Sequence, residues 1–323
     1  MDLIDKQIIF ELLISYRASY QAIAEKLNLS VNAVKKRFEK LKNVGIIRGG
    51  VLVPMPVMKG TEDWLALLRM DEATASDDSL EKIGSHVLVQ SGSLLTDGSI
   101  LCFGFYGGAQ DLQEIGAFLR QVQGVKSVEF HTILAPQGKK TDLAKNDVKV
   151  LRCLREAPRI PISKITEKTG INSRRVRNIL QKLIGENGVE PIYYINWKSQ
   201  GKTHPNDVSF LVRVHWNLNA GGYTAFMIQI RHKEGVEERK KITDILTDNY
   251  SFEFWYAYAS AFEPVIFCVF LVEHMRDSIE IVKTVEQIPQ AVEVYPIFGY
   301  PTKVFRSQVD DYFEGIFENI DQY

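Results

Sequence analysis

Two clusters of basic residues have the spacing of side chains that read DNA. One contains Arg174, Arg175 and Arg177, and the other contains Lys35, Lys36 and Arg37. An arginine can bond bidentately to guanine, whereas lysine and arginine further along a helix meet phosphates and set the register. Each cluster is therefore predicted to lie on a helix that enters the major groove. The residues expected to bind DNA are Gln21, Ser30, Asn32, Lys35, Lys36, Arg37, Lys40, Arg48, Ser173, Arg174, Arg175, Arg177, Asn178 and Lys182.

Both clusters belong to a segment that occurs twice in the chain, about 142 residues apart. Asp5 aligns with Asp147, Ile23 with Ile165, and Leu41 with Leu183. Fixed-period self-similarity is a primary indication of how a chain is organised. The repeat predicts two helix-turn-helix heads in one chain.

The first head is predicted to contain three helices. The first covers residues 4–14, and the second opens at Ser19 or Tyr20. Ser30 is a suitable N-cap for the third, because its hydroxyl can accept from the free amides at a helix start. A strand over residues 46–53 and a linker punctuated by proline and glycine follow.

The second head repeats this plan. Ser163 is predicted to cap its second helix, Gly170 to form the tight turn, and Asn172 to cap its third helix. A strand pattern over residues 189–197 follows. Both strands resemble wings or connecting strands.

Charge is unevenly distributed along the chain. The net charge is −1, yet residues 1–50 hold nine Lys/Arg against five Asp/Glu, and residues 142–198 hold twelve against six. The remaining residues are therefore acidic. Basic heads on an acidic body are typical of a nucleic-acid reader, because phosphate neutralisation supplies much of the affinity.

Composition excludes several classes of protein. The chain is 45% hydrophobic, enough to form sizeable cores, but it has no apolar run long enough for a membrane span and no basic signal-peptide start. Cys102, Cys153 and Cys268 are too scattered for a disulfide framework or a zinc site. We expect a cytoplasmic protein with no metal and no cofactor.

Each head is followed by an α/β body. Residues 61–135 alternate as βαββαβ, with a hairpin at Asp97-Gly98, which is the ferredoxin-like arrangement. The second body repeats the pattern with an extra strand over 208–216, which would extend the wing or the sheet. A tail helix over 306–320 is expected to pack on its own chain or on a partner.

The predicted domains are 1–50 (first head), 61–137 (first body), 142–198 (second head), 207–300 (second body) and 301–323 (C-terminal helix).

This order resembles the Lrp/AsnC family of prokaryotic and archaeal transcription regulators, in a tandem-fused form. The resemblance is carried mainly by the first head, in the segments Ile4-Asp5-Lys-Gln-Ile8, Ile23-Ala24, Leu29-Ser30 and Gly45-Ile46-Ile47. It implies an α+β fold of two winged helix-turn-helix heads, each followed by a ferredoxin-like βαββαβ domain, arranged as an internal pseudo-dimer. It also implies a sequence-specific regulator that binds double-stranded DNA and has no enzymatic activity.

In that family the bodies pair subunits and bind small effectors, often amino acids, at a Gly-x-x-Asp-type loop. Gly107, Gly108 and Asp111 resemble that loop, and the glycines would let backbone amides approach an anion near a helix start. The alternative is an ordinary turn. The second copy keeps Asp277 but lacks the glycines. The two unlike recognition helices predict an asymmetric operator, and the family implies a homo-oligomer, a dimer of pseudo-dimers.

Two other functions remain open. Some proteins that resemble this family decarboxylate haem precursors such as siroheme, using basic residues and histidines in a pocket between paired bodies. The histidines here are His86, His131, His204, His215, His232 and His274, and no pair has metal spacing. The other possibility is a chromatin-type protein that binds DNA with little sequence preference.

Overall fold

The structure is a computed structural model, and it describes residues 1–71, 74–185, 207–299, 302–305 and 308–320. The first head contains α1 (Leu3–Ile14), α2 (Tyr20–Leu27) and α3 (Val31–Asn43). Ser19 and Ser30 cap α2 and α3 through their side chains, as the sequence predicts. Between these helices Asn28 adopts the left-handed conformation, with φ 53°. β1 (Ile47–Pro54) and the short helix α4 (Pro56–Lys59) lead to the first body.

The first body has the predicted ferredoxin-like topology. Its elements are β2 (Glu62–Met70), α5 (Asp77–Gly84), β3 (Val89–Leu94), β4 (Ile100–Tyr106), α6 (Ala109–Gln121) and β5 (Val125–Ile133). The strands form an antiparallel sheet in the order β5-β2-β4-β3. Ser76 caps α5 through its side chain, and Asp77 and Asp78 lie in the first turn.

The second head contains α7 (Lys145–Glu156), α8 (Ile162–Thr169) and α9 (Ser173–Ile184). Asn172 caps α9 and Gly170 takes the left-handed conformation, as predicted. The prediction for Ser163 is wrong: α8 begins after Pro161, because proline is tolerated at a helix start, and this places Ser163 in the first turn. The strand predicted over 189–197 lies outside the described residues.

The second body repeats the topology of the first. Its elements are β6 (Phe210–Trp216), β7 (Thr224–His232), α10 (Val236–Asn249), β8 (Phe254–Ala259), β9 (Val265–Val272), α11 (Met275–Glu286) and β10 (Ala291–Ile297). The sheet order is β10-β7-β9-β8. The extra strand β6 pairs with β1 and so extends the connecting strand rather than the body sheet.

The two bodies pack sheet against sheet. Leu65, Leu67 and Leu101 of the first sheet form one buried cluster with Phe267 and Val265 of the second. The helices cover the opposite faces of both sheets, where separate cores form. Together with the β1–β6 ladder, this packing confirms the predicted internal pseudo-dimer.

Two arginines at equivalent positions of the repeat join the heads. Arg17 Nη1 donates to the carbonyl oxygens of Pro158 (2.8 Å) and Ile160 (3.0 Å). Arg159 Nη2 donates in return to the carbonyl oxygen of Ala18 (2.7 Å). The reciprocal contacts are those expected of an isologous interface, in which each copy presents the same patch.

The chain ends with β11 (Lys303–Val304) and α12 (Gln308–Glu318). β11 crosses to the first body and pairs with β3. α12 packs on α7 of the second head, where it buries Phe313 and Ile316. Arg152 Nη2 donates to the carbonyl oxygen of Phe317 (2.8 Å) at this contact. The tail helix therefore packs on its own chain. None of the helices in the described ranges is both long and apolar enough to cross a membrane.

Candidate active site

A cavity of about 700 Å³ lies between the two halves of the chain. It is bounded by the facing body sheets and by the β1–β6 ladder, and each half contributes to its lining. Both bodies supply aromatic side chains to its wall, namely Trp64, Phe103, Phe105, Tyr223, Phe226, Tyr256 and Tyr258. A concave site of this size, lined by aromatic and other apolar side chains together with polar groups, is typical of small-molecule and cofactor sites, which measure roughly 300–1,000 Å³.

Lys59 is one of three charged residues that the described part of the chain contributes to the cavity wall, and it lies in the last turn of α4. Gly60 ends this helix in the left-handed conformation (φ 71°), and Lys140 Nζ donates to the carbonyl oxygen of Met58 (3.2 Å). The ammonium of Lys59 lies 3.5 Å from the centre of the Phe105 ring. Burial lowers the pKa of Lys59 to about 8, although the nearby Asp63 carboxyl raises it. The lysine therefore exchanges its proton much closer to neutral pH than a solvated lysine does.

Asp63 is the acidic residue of the wall. It lies at the start of β2, on the side of Leu65 and Leu67, and therefore faces the other body. Its Oδ1 atom is buried and has no hydrogen-bond partner within the described part of the chain. Burial raises the pKa of Asp63 and outweighs the opposite effect of Lys59 and Arg213. The carboxyl group thus holds its proton to higher pH than an ordinary aspartate does.

Arg213 is the second cation of the cavity wall, and it belongs to the other half of the chain. It lies on β6 directly opposite Val51 of β1. Arg213 and Lys59 are near enough to Asp63 for both to lower its pKa. The cavity wall therefore combines two cations with one carboxyl group whose pKa is raised by burial, an arrangement suited to an anionic ligand.

The charged groups of the cavity wall have no charged counterparts at the equivalent positions of the other half. In the body sheets, Asp63 pairs with Phe105 of β4, and Ala225 occupies the matching position on β7, opposite Leu271. Lys59 lies four residues before Asp63, and Gly221 lies four residues before Ala225. Val51 and Arg213 face one another across the β1–β6 pair. In each pair of equivalent positions, only one copy carries a charge.

Tyrosine hydroxyls distinguish the opposite end of the cavity. Tyr256 and Tyr258 line the cavity from β8, whereas Ser91 and Ser93 do so from the equivalent strand β3. The Tyr223 hydroxyl accepts from the Met1 ammonium (2.8 Å), and it lies within hydrogen-bond distance of the Met1 carbonyl oxygen (3.1 Å) and of Glu273 Oε1 (3.2 Å). Burial and the Glu273 charge raise the pKa of Tyr223 to about 12. This end therefore presents tyrosine hydroxyls to the cavity, with the Met1 ammonium and the Glu273 carboxylate beside Tyr223.

The residues predicted to contact DNA lie on the heads, away from this cavity. Those with exposed side chains are Gln21, Ser30, Asn32, Lys35, Lys36, Lys40, Arg48, Arg174, Arg175, Arg177, Asn178 and Lys182. Ser30 serves as the cap of α3, and Gln21 donates to Glu25 (2.7 Å). Ser173 is half-buried beside Thr166.

The two recognition helices differ in the ion pairs that their arginines make. Arg37 Nη1 on α3 is paired with Asp2 Oδ2 and with Asp5 Oδ1, both at 2.7 Å. These bonds raise the pKa of Arg37. On α9, Lys182 contacts Asp147 at 2.7 Å. The arginines earlier on that helix point into solvent near its start, where base edges are contacted in such heads.

The predicted effector loop is separate from the cavity. Asp111 Oδ2 accepts from the backbone amide of Gly107 (2.6 Å), and Gly107 and Gly108 are exposed and do not line the cavity. The carboxylate of Asp111 therefore folds back on the loop. Its role as an effector site remains a prediction.

The histidines are also placed elsewhere. No described histidine lines the cavity, and His204 lies outside the described residues. His131 is buried between the bodies, where Nδ1 contacts Ser260 Oγ (3.1 Å) and Nε2 contacts Glu129 Oε1 (3.0 Å). Burial, together with the charges of Arg48 and Arg213, lowers the pKa of His215.

Sequence reasoning did not identify Lys59, Asp63 or Arg213 as site residues. Lys59 lies in what the sequence indicates is a linker, and Arg213 lies in an ordinary strand pattern. One signal was available for Asp63. Side chains on a strand alternate between its two faces, so Asp63 lies on the same face as Leu65 and Leu67. These leucines indicate that this face is buried.

Comparisons with known proteins give one match for the heads and another for the whole chain. The model of the winged helix-turn-helix DNA-binding family matches residues 1–48 and 143–187. The crystal structure of the siroheme decarboxylase NirDL is similar over 99% of this chain and 100% of that chain, with 11% identity and a TM-score of 0.55. The same enzyme in complex with an iron-uroporphyrin III analogue gives a TM-score of 0.53, also at 11% identity, over 99% of each chain. Escherichia coli AsnC covers 44% of this chain and 97% of its own, with 22% identity and a TM-score of 0.34. No curated protein sequence matches this chain significantly.

The full-length match corrects one expectation. The sequence was expected to encode a protein without enzymatic activity, whereas the fold that spans the entire chain is shared with an enzyme. The error arose because the heads carry strong local motifs, while the cavity is formed by residues that lie far apart in the sequence. The chain thus carries two heads of the winged helix-turn-helix DNA-binding type within a full-length fold that it shares with the siroheme decarboxylase NirDL.

Proposed function

We propose that this protein is a decarboxylase that acts on an anionic tetrapyrrole of the siroheme class, bound in the cavity between the two halves. The main support is the cavity itself, about 700 Å³ in volume, with aromatic walls and with cations at one end. A flat macrocycle can stack on aromatic side chains, and its acidic substituents require positive partners once they leave water. The full-length similarity to NirDL favours this ligand class.

The cations have a direct role in such a reaction. Lys59 and Arg213 approach the same end of the cavity from different halves, so closing the pseudo-dimer also completes the anion site. A carboxylate that is held there is removed from water and oriented by fixed charges. Decarboxylation then breaks the bond between this carboxylate and its carbon, releases CO2, and places a proton on the carbon.

The test uses the full chain with siroheme and, as an unreactive probe, iron uroporphyrin III. Binding is followed by the shift of the macrocycle absorption band and by quenching of tryptophan fluorescence, because Trp64 lines the cavity. Turnover is followed by mass spectrometry as loss of CO2 from siroheme. The double variant Lys59→Met with Arg213→Met is expected to lose most binding, while Lys283→Ala, an exposed lysine on α11, serves as the matched control. Unaltered siroheme after incubation with the wild-type chain would contradict the proposal.

We propose DNA binding by the heads as a second function, favoured by the family match at both heads and by the exposed arginines of α9. α9 is the better candidate for base readout, because Arg37 on α3 is already paired with two carboxylates.

In vitro selection on random DNA would identify a site. Replacing Arg174, Arg175 and Arg177 with alanine should then abolish discrimination between that site and random duplex. Replacing Lys35 and Lys36 should weaken both duplexes equally, since a lysine acts as a point charge on phosphate. Equal discrimination by all variants would exclude α9 as the reader.

A further inference from the structure

The two equivalent ends of the cavity have different chemistry, and this difference indicates where a reaction can occur. One end combines Asp63 with the cations Lys59 and Arg213, and the equivalent position of Asp63 is Ala225. A dimer of identical subunits would have both ends alike. Here, among the described residues, a carboxyl group lies beside two cations at one end, and the equivalent positions of Lys59 and Asp63 are uncharged.

The surroundings of Asp63 identify it as the proton donor. Lys59 lies four residues before it in the chain, and Arg213 of β6 is close enough to affect the same carboxyl group. The other acidic neighbour, Glu62, accepts the Tyr106 hydroxyl proton through Oε2 (2.6 Å). Asp63 Oδ1 is buried and unpartnered among the described residues, and burial raises the pKa of this carboxyl group. A neutral acid in this position could donate a hydrogen bond into the cavity without repelling an incoming carboxylate.

We propose that Asp63 donates the proton that replaces CO2 on the bound macrocycle, at a single reactive end of the cavity, while Lys59 and Arg213 hold the departing carboxylate. This inference rests on the proposed decarboxylase function. The carbon–carbon bond to the carboxylate breaks, and its electron pair stays on the side-chain carbon. That pair takes the proton of Asp63, so that an acetate substituent becomes a methyl group. The Asp63 carboxylate regains a proton from water, and the reaction consumes one proton and no electrons.

Asp63→Asn is the decisive variant, because it keeps the shape and neutrality of the acid but cannot supply its proton. We expect iron uroporphyrin III to bind within about twofold of wild type, while the single-turnover rate with siroheme falls ~10²-fold or more, as is usual when a general acid is lost. Asp63→Glu should restore part of the rate. The exposed Glu280→Gln on α11 is the matched control.

The pH dependence separates a proton donor from a residue with a merely structural role. The wild-type single-turnover rate at saturating siroheme should fall as pH rises through the pKa of Asp63, because the acid form is the reactive one. In Asp63→Asn the residual rate should no longer decrease as pH rises through that range. If Lys59 or another group caused the decrease, it would persist in this variant. A wild-type rate in Asp63→Asn, or an unchanged pH profile, would overturn the role of Asp63 and leave the decarboxylase function intact. Failure of the wild-type chain to decarboxylate siroheme would instead overturn both.

Discussion

The two halves of this chain share one architecture but differ in the residues with which they line the cavity. Both bodies have the strand order expected of a ferredoxin-like fold, and both heads cap their third helix with a polar residue. At the cavity, however, the second half carries Gly221 and Ala225 at the positions that correspond to Lys59 and Asp63. Duplication within one chain allows this divergence, because a change in one copy is no longer repeated in the other. The result is a cavity in which Lys59 and Asp63 have no charged counterparts in the second half.

The sheet-to-sheet contact should give the largest effect, because it holds the two halves together. Phe267 on β9 is fully buried in this contact, and Leu101 occupies the equivalent position on β4. We expect Phe267→Ala to lower the free energy of unfolding by about 3–5 kcal/mol and Leu101→Ala by about 2–5 kcal/mol, from lost burial and the cavity left behind. Denaturant unfolding followed by tryptophan fluorescence measures both. Equal and small effects would indicate that the halves pair mainly through β1 and β6.

The reciprocal arginines test the symmetry of the head contact. Arg159 donates to Ala18 and also lies over the rings of Tyr16 and Tyr20, and Arg17 donates to the carbonyl oxygens of Pro158 and Ile160. Hydrogen bonds to charged groups contribute about 1.5–3 kcal/mol. Arg159→Ala and Arg17→Ala should therefore each destabilise the joined heads by about that amount or more. Hydrogen exchange of α2 and α7 amides measures both effects, and a loss in only one of the two variants would contradict the symmetry of the contact.

The pH dependence of ligand affinity tests the charged end of the cavity. Free Lys59, with its pKa lowered to about 8, is charged below that pH and neutral above it. An anionic ligand prefers the charged form, so affinity for iron uroporphyrin III should fall as pH rises above about 8, by at most about tenfold per pH unit. Lys59→Met should remove that decline, and Lys283→Met at an exposed position of α11 should keep it. A decline that persists in Lys59→Met would assign the titration to another group.

The helix caps should give the smallest effects and the closest agreement between the halves. Ser30 Oγ accepts from the Ala33 amide (3.1 Å), and Asn172 Oδ1 accepts from the Arg175 amide (2.9 Å). Replacing either residue with alanine should cost about 0.5–2 kcal/mol. Thermal unfolding of the two variants should give similar shifts. A much larger loss for one cap would indicate that its helix start has a further contact.

Much of the fold was predictable because its signals are local. The caps at Ser30 and Asn172, the left-handed Gly170 and the hairpin at Asp97-Gly98 depend on a few neighbouring residues. The prediction for Ser163 was wrong because two local signals competed, and the proline start at Pro161 was favoured over the serine cap. The pairing of β6 with β1 was left open, because strand partners are not encoded in either strand alone.

The candidate site was not predictable in the same way. Arg213 and Lys59 are separated by most of the first body and the second head, and they meet only because β6 pairs with β1. The shift of the Asp63 pKa depends on burial against the other half, which no spacing in the sequence reveals. The sequence by itself determined the repeat, the helices and strands, and the basic faces of the heads, because periodicity and capping act within a few residues. Only the tertiary structure decided that the duplicated bodies enclose a cavity with chemistry at one end, because desolvation and charge proximity arise only when distant segments pack together.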